Sequence, residues 1–267
     1  MNNAPIGIFD SGMGGLTVMR ALTAKLPSES FVYLGDTARL PYGTKGPDTV
    51  TRYAVQAAHA LTARGIKLLV VACNTASGVA LPTLQTELSV PVVGVIGPGA
   101  EAAITAAPKG PIAVIATEGT VKGGAYVRAI QALEPIAVAQ KACPLFVPMA
   151  EEGLVDGPIA EAVAHRYLDP LLATLPKPKA LVLGCTHFPA LKNVIARVAG
   201  PDIALVDSAV TTAEAVAKIL DEKNLRADGK NPTRHFLATD APDRFARVGE
   251  IFLGSPINPG DVELVDL

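Results

Sequence analysis

The sequence lacks an excess of charge of either sign. Lys and Arg number 23 against 25 Asp and Glu, which gives a formal net charge of −2, and no basic tract is present. A protein whose main function is to bind nucleic acid usually carries a basic patch, so we do not expect that function. Hydrophobic residues make up 49% of the chain and charged residues 18%, a composition typical of a folded globular protein.

Long hydrophobic runs are also absent. The longest unbroken aliphatic stretch covers residues 68–73, far short of the roughly 20 residues that cross a bilayer as a helix. Residues 1–5 do not show the charged start and apolar core of an export signal. These absences predict a cytoplasmic protein that contacts no membrane.

Cysteine and histidine are scarce. The three Cys and four His residues contain no Cys-x-x-Cys pair or other ligand spacing, so no metal site is expected. Three cysteines cannot all pair with one another. Without an export signal, we interpret them as free thiols in a reducing compartment.

Aromatic residues make up only 4% of the chain, with no Trp. The core must therefore be aliphatic, and short aliphatic runs typical of buried parallel strands recur along the chain. They cover residues 6–9, 31–34, 68–72, 92–95, 112–116, 181–183 and 204–206. Segments with helical spacing lie between them, including Ala54, Ala57, Ala58 and Leu61, and Ala213, Val216, Ala217 and Leu220. This alternation predicts an α/β fold with mostly parallel sheets and helices on both faces.

The chain also contains a loose internal repeat. Residues 69–75 (LVVACNT) resemble residues 181–187 (LVLGCTH), and residues 6–12 match residues 112–119 more weakly. Gly-Pro-Gly at 97–99 is the best candidate for a crossing point between the two halves. The repeat predicts two similar α/β units that share one cleft.

Polar residues follow most of the strand-like runs. They are Asp10, Ser11, Asp36, Thr37, Cys73, Asn74, Thr75, Thr117, Thr120, Cys185, Thr186 and His187. In parallel α/β sheets ligands bind at the carboxyl ends of strands, although for any single residue here a helix N-cap is the better explanation. Their recurrence in both halves favours a functional site.

Two of these turns contain a cysteine. Cys143 stands outside the polar turns and is interpreted as a buried packing residue. A thiol nucleophile needs one Cys and one base, which would leave one member of the matched pair Cys73 and Cys185 unexplained. Two facing thiols suit a two-base transfer, in which one removes a proton from carbon and the other protonates the opposite face. Asp10 and His187 are the expected local partners of Cys73 and Cys185 respectively.

Other features have weaker interpretations. The Gly-rich turn at 12–15 matches neither a dinucleotide nor a phosphate-loop pattern, and is interpreted as a nest of amides for a substrate carboxylate. Taken alone, Tyr42-Gly43 is a turn, and Glu151-Glu152 is a solvated pair before a helix. No Lys lies within the strand-end motifs, so pyridoxal phosphate is not expected.

Longer motifs identify a family that the chain resembles. They cover residues 7–17, 33–43, 71–77, 117–120, 147–153 and 184–189. Over nearly its full length the chain resembles the glutamate racemases of the aspartate/glutamate racemase superfamily. Thr186-His187 is typical of the glutamate branch, because aspartate racemases usually carry Thr-Glu there. Met149-Ala150 replaces the usual Leu-Val, which affects local packing more than chemistry.

The resemblance implies two α/β domains with the active site in the cleft between them. In this family the C-terminal segment returns to complete the first domain, which would then comprise residues 1–96 and 208–267. Residues 97–207 would form the second domain. A helix within residues 243–253 fits the returning segment. Many family members form homodimers, so a homodimer is one association that the resemblance allows.

The resemblance also implies a function. It is the cofactor-independent interconversion of L- and D-glutamate, the small-molecule substrate, which supplies D-glutamate for bacterial peptidoglycan. Cys73 would handle the proton of the D-isomer and Cys185 that of the L-isomer. The assisting residues would be Asp10, His187, Asp36 and Glu151. The substrate contacts would be Asp10, Ser11, Tyr42, Gly43, Asn74, Thr75, Thr117, Thr120, Thr186 and His187.

Two alternatives stay open from the sequence. One is a racemase of the same superfamily that acts on aspartate or another amino acid, which a comparison of turnover would distinguish. The other is a non-catalytic, two-lobed amino-acid-binding protein whose cysteines are merely packed. Tight glutamate binding without exchange of the α-proton would favour that second alternative.

Overall fold

The computed structural model of the protein describes residues 2–173 and 177–267; Met1, part of the N-terminal pentapeptide considered above, and residues 174–176 lie outside them. The strands are β1 (Ile6–Asp10), β2 (Phe31–Gly35), β3 (Leu68–Val71), β4 (Val92–Gly94), β5 (Ile112–Ala116), β6 (Val138–Ala142), β7 (Ala180–Gly184), β8 (Ala204–Asp207), β9 (Arg234–Ala238) and β10 (Val262–Leu264). Across these described residues, no helix has both the length and the apolar character to cross a membrane.

Helices connect most of these strands. They are α1 (Leu16–Lys25), α2 (Pro47–Thr62), α3 (Asn74–Glu87), α4 (Ile96–Ala106), α5 (Glu118–Gly123), α6 (Ala125–Leu133), α7 (Phe146–Glu151), α8 (Pro158–Leu172), α9 (Lys192–Ala199), α10 (Ser208–Glu222) and α11 (Pro242–Leu253). Short 3₁₀ helices cover Thr37–Arg39, Tyr42–Thr44, Phe188–Leu191 and Pro259–Asp261.

The strands form two parallel sheets. In the described part of the chain, one sheet has six strands in the order β10-β9-β2-β1-β3-β4, and the other has four in the order β6-β5-β7-β8. All neighbouring pairs are parallel. Each of the seven aliphatic runs falls on a strand, namely β1 to β5, β7 and β8. The predicted α/β class is therefore confirmed.

The Ala-rich periodic segments are helices that pack on the sheets. The predicted inward residues of α2 and α10 are all buried, because small Ala side chains let a helix lie close to a sheet of branched residues. The helix expected within residues 243–253 is α11. Strands β9 and β10 follow the four-stranded sheet in the chain, yet they extend the six-stranded sheet beyond β2.

A buried ion pair ties the start of the chain to the segment after α10. Lys67 Nζ lies 2.5 Å from Glu29 Oε2, and the two side chains are only 1% and 2% exposed. Lys67 also donates to the carbonyl of Asn2 at 2.6 Å, and the other Glu29 oxygen accepts the amide of Ala227 at 2.9 Å. Removing one partner of such a pair leaves a buried charge without compensation.

We expect Glu29→Gln to destabilise the fold without changing the chemistry of the site. The free energy of unfolding should fall by about 2 kcal/mol, because the ammonium of Lys67 stays buried and loses its counter-charge. Urea unfolding followed by circular dichroism measures this. The matched control is Glu263→Gln, which breaks the exposed pair with Arg64 and should cost less than about 1 kcal/mol. Equal losses in the two variants would contradict the expectation.

Candidate active site

The register of the strands brings the predicted polar turns together at the carboxyl ends of both sheets. In the first sheet Phe9 of β1 pairs with Val71 of β3, so the turns that contain Asp10 and Cys73 are neighbours. In the second sheet Ala116 of β5 pairs with Gly184 of β7, which places Thr117 beside Cys185.

Both matched cysteines line one cavity of about 130 Å³. The other predicted residues on its wall are Ser11, Tyr42, Gly43, Asn74, Thr75, Thr117, Thr186 and His187. Sequence reasoning missed Pro41, Thr44, Glu118, Pro144, Val147 and Pro148, which complete the wall. Asp10, Asp36, Thr120 and Glu151 lie behind this lining. Cys143 is buried, as predicted.

On the first side of the cavity, Cys73 has a hydroxyl and a carboxylate as neighbours. Its Sγ lies 3.7 Å from Ser11 Oγ. Burial, with a further contribution from the negative charge of Asp10, raises the pKa of the Cys73 thiol to about 12. Cys73 is also the N-cap of α3, and a hydrogen bond from the amide of Ala76 in the first turn acts in the opposite direction. The thiol therefore holds its proton near neutral pH.

Asp10 is completely buried beside this thiol. Its Oδ2 accepts the amide of Gly12 at 3.0 Å, whereas its Oδ1 has no hydrogen-bond partner within the described residues. Burial raises the pKa of Asp10, although the charge of His187 and the amides of the Gly-rich turn oppose that rise. The nest predicted to bind a substrate carboxylate therefore holds the protein's own carboxylate, because Asp10 lies directly before the turn.

On the second side, a chain of polar contacts leads away from Cys185. Its Sγ lies 3.9 Å from His187 Nδ1, and His187 Nε2 lies 3.0 Å from Glu151 Oε1. Arg244 of α11 donates to the other Glu151 oxygen at 2.8 Å. Glu151 is thus half-buried within an ion-pair network, and the simple solvated-pair interpretation of Glu151-Glu152 is wrong for Glu151.

The charges in this series of contacts shift the pKa of both His187 and Glu151. Burial lowers the pKa of His187, but hydrogen bonds to Cys185 and Glu151 outweigh it and raise the pKa to about 10. For Glu151, burial acts to raise the pKa, while His187 and Arg244 bring it below its usual value. His187 is therefore an imidazolium near neutral pH, next to the sulfur of Cys185.

We expect Glu151→Gln to lower the pKa of His187, because the amide carries no negative charge. Because the folded-state pKa of His187, about 10, exceeds the ordinary 6.5, its protonation stabilises the fold below about pH 6.5. That stabilisation is lost as the pH rises through about 10. NMR titration of the His187 ring, with urea unfolding across this range, measures both effects. A wild-type His187 pKa that Glu151→Gln leaves unchanged would contradict the assignment.

Asp36 occupies a supporting position outside the cavity. Its oxygens accept the Tyr42 hydroxyl, Arg39 Nε at 2.7 Å and the Thr239 hydroxyl at 2.9 Å. Because both oxygens are engaged, the carboxylate holds the Tyr42-Gly43 turn against the cavity. The geometry favours a positioning role for Asp36 over proton transfer.

Fixed donors and hydroxyls complete the wall. The Oδ1 of Asn74 accepts the Tyr126 hydroxyl at 2.7 Å, which orients the amide, and its buried Nδ2 has no partner among the described residues. The hydroxyls of Thr75, Thr117 and Thr120 form a triangle with sides of 2.9, 3.0 and 3.4 Å. Thr120 therefore contacts the cavity wall through the hydroxyls of Thr75 and Thr117.

A metal site is not visible in the described parts of the chain. No cluster of three or more His, Cys, Asp or Glu residues there has the geometry to hold an ion. The polar side chains on the cavity wall are thiols, hydroxyls, an amide, an imidazolium and the carboxylate of Glu118. They can move a proton and stabilise an anion.

Known proteins are similar to this protein over nearly its full length and not only at the site. The Asp/Glu/Hydantoin racemase family model matches residues 7–216. A glutamate racemase from Geobacter metallireducens is 51% identical over 98% of this chain and 96% of its own. The structure of glutamate racemase from Francisella tularensis in complex with D-glutamate has a TM-score of 0.91, at 39% identity over 100% of this chain and 98% of that one.

A further solved structure supports the same relationship. Glutamate racemase from Thermus thermophilus, in complex with beta-chloro-D-alanine, has a TM-score of 0.89 at 45% identity. It covers 99% of this chain and 98% of its own. The similarity therefore extends over both sheets and the cavity between them.

Proposed function

From the premise that this chain belongs to the Asp/Glu/Hydantoin racemase family, we propose that it interconverts L- and D-glutamate without a cofactor. The observation that carries the proposal is the placement of Cys73 and Cys185 on one small cavity, each at the end of a strand of a different sheet. The matching relatives are bacterial glutamate racemases, and D-glutamate would serve peptidoglycan synthesis.

In the L-to-D direction, Cys185 is the base and Cys73 the acid. The proton of Cys185 rests on His187, whose imidazolium stabilises negative charge on the Cys185 sulfur, and that thiolate removes the α-proton of L-glutamate. The electron pair of the broken C–H bond stays on the α-carbon and its carboxylate. Cys73 holds its proton because its pKa is raised to about 12, and it transfers that proton to the opposite face.

In the D-to-L direction the roles exchange. The thiol of Cys73 must first lose its proton, and Asp10, whose Oδ1 has no hydrogen-bond partner among the described residues, is the acceptor beside it. His187 returns a proton to Cys185, and while the Cys73 thiolate removes the α-proton of D-glutamate, the Cys185 thiol protonates the other face. After turnover Cys73 holds the substrate's proton and Cys185 is again a thiolate, and the proton on Asp10 returns to His187 through solvent, so the proton balance closes.

The remaining wall residues bind the substrate and its anionic intermediate. Asn74 at the start of α3 offers an oriented amide together with the positive end of a 14-residue helix, which favours negative charge. The other proposed substrate contacts are Ser11, Tyr42, Gly43, Thr75, Thr117, Thr186 and His187. Fixed donors of this kind stabilise charge that develops in a transition state.

We expect L-glutamate to be the preferred substrate over L-aspartate. Aspartate lacks one methylene, so its side-chain carboxylate and α-carbon cannot both reach their partners in a fixed cavity. A methylene is worth about 10- to 200-fold in selectivity, and kcat/KM for glutamate should exceed that for aspartate by at least about 10-fold. Circular dichroism, which follows the loss of each L-isomer in the presence of the protein, measures the two values of kcat/KM. Faster turnover of aspartate would move the assignment to another branch of the superfamily.

The proposal also covers the division into domains, the cellular compartment and the oligomeric state. The return of β9 and β10 to the six-stranded sheet supports a division into residues 1–96 with 208–267, and residues 97–207. Free thiols at all three cysteines support a reducing, cytoplasmic setting. The homodimer implied by the resemblance stays a prediction, which sedimentation analysis would test.

A further inference from the structure

Thr17 lies on α1 beside the six-stranded sheet, yet its hydroxyl reaches the turn that follows β7 in the other sheet. Its Oγ1 lies 3.1 Å from the carbonyl oxygen of Thr186 and 2.9 Å from that of Gly14. Both threonines are buried. The contact joins two segments that are distant in the chain, and it falls between the neighbouring residues Cys185 and His187.

The carbonyl of Thr186 has no local donor at the usual position. In a 3₁₀ turn it would accept the amide of residue 189, but that residue is Pro189 and carries no N–H. The next amide, that of Ala190, donates to the carbonyl of His187 at 3.2 Å. The hydroxyl of Thr17 therefore supplies the hydrogen bond that the local backbone cannot provide.

The other carbonyl near the Thr17 hydroxyl, that of Gly14, already has a hydrogen-bond donor. The carbonyl of Gly14 accepts the backbone amide of Thr17 at 3.0 Å. A threonine hydroxyl carries one hydrogen, so Thr186 is the acceptor that depends on it. A buried carbonyl without a donor is costly, and the turn would shift to find one.

We propose that Thr17 is a positioning residue that fixes the turn of Cys185, Thr186 and His187 for proton transfer on that face of the substrate. The inference rests on the proposed function. Cys73 is held separately, as the N-cap of α3, and its side-chain hydrogen bond in the described structure is to Ser11, not to Thr17. Loss of the Thr17 hydroxyl should therefore slow the Cys185 step much more than the Cys73 step.

The first test compares three variants of the full-length protein. Thr17→Val removes the hydroxyl at nearly constant volume, and Thr17→Ser keeps it. Thr23→Val on the same helix is the matched control, because the Thr23 hydroxyl donates to the carbonyl of Met19 within that helix. We expect Thr17→Val to lower kcat at least about 10-fold with little change in KM. Thr17→Ser and Thr23→Val should stay within about 2-fold of wild type. If Thr17→Val does not fold, Thr17→Ala replaces it.

The second test separates positioning of one thiol from general damage. With α-deuterated L-glutamate the primary isotope effect reports C–H cleavage by Cys185, and with α-deuterated D-glutamate it reports cleavage by Cys73. Thr17→Val should raise the first isotope effect and lower the second, because only the Cys185 step is slowed. The opposite asymmetry would support the role of Thr17 but reverse the assignment of faces. Unchanged or equally changed isotope effects would overturn the proposal.

A third measurement does not depend on racemisation. NMR titration of His187 in the free protein should show a changed midpoint in Thr17→Val, and a wild-type midpoint in Thr17→Ser and Thr23→Val. If the wild-type protein did not racemise glutamate, the proposed function would fail, and this titration would still decide whether Thr17 positions the turn. An unchanged His187 titration in Thr17→Val would overturn the positioning role.

Discussion

Cys73→Ala and Cys185→Ala are each expected to lower kcat/KM for racemisation by at least about 10³-fold, because each removes the acid or base for one face of the substrate. Both thiols line the same cavity, and the described structure places no other thiol on its wall. The loss should be equally severe in both directions, since every inversion needs both faces. Circular dichroism of L- and D-glutamate solutions measures it.

Cys143→Ala is the control for this pair. Cys143 is a buried thiol of the same kind, but its Sγ faces the carbonyl of Lys141 at 3.6 Å and lies outside the cavity lining. We expect activity within about 2-fold of wild type and a modest loss of stability of about 1 kcal/mol. Full activity in either Cys73→Ala or Cys185→Ala would disprove the two-thiol mechanism.

The second large effect is expected at Gly14, where the two sheets meet. A Cβ atom at this position would lie 2.5 Å from both His187 Cε1 and Thr186 Oγ1, closer than real side chains approach. Gly14→Ala therefore forces the His187 turn away by about 1 Å, and a shift of that size costs about 10²-fold in rate. We expect kcat to fall at least about 100-fold, with the far-ultraviolet spectrum unchanged.

The matched control for Gly14→Ala is Gly97→Ala. A Cβ at Gly97 in α4 has nothing within 4 Å, so the variant changes the same residue type without a collision. It should retain wild-type activity. If Gly14→Ala also retained wild-type activity with a normal His187 titration, the close approach of the two turns would not matter for catalysis.

Much of the fold could be predicted because the buried strands carry a strong signal. The strands β1, β3 and β7 are rich in apolar residues and buried throughout, as is typical of parallel strands covered on both faces. The strands β6, β9 and β10 gave no such run. Every residue of β6 is half-buried, and β10 has two exposed residues of three; both are edge strands and are less covered than the edge strand β4.

The part of the site that could be predicted is the part whose residues directly follow a strand in the sequence. The turns of Cys73 and Cys185 directly follow strands, so their convergence follows from the parallel topology. The link from His187 through Glu151 to Arg244 was not predictable beyond the first two residues, because Arg244 belongs to the returning segment and its partner is chosen by tertiary packing. The supporting role of Asp36 likewise depends on Thr239, which follows β9 and is distant from Asp36 in the sequence.

The most direct test of the account is to incubate the purified protein with L-glutamate in deuterated water, without added cofactor. Circular dichroism follows inversion, and the α-proton NMR signal follows exchange at the α-carbon. We predict that D-glutamate appears and carries deuterium at its α-carbon, because the second thiol delivers a proton derived from solvent. Folded protein that produced neither inversion nor exchange would contradict the account and favour a binding protein or a different amino-acid substrate.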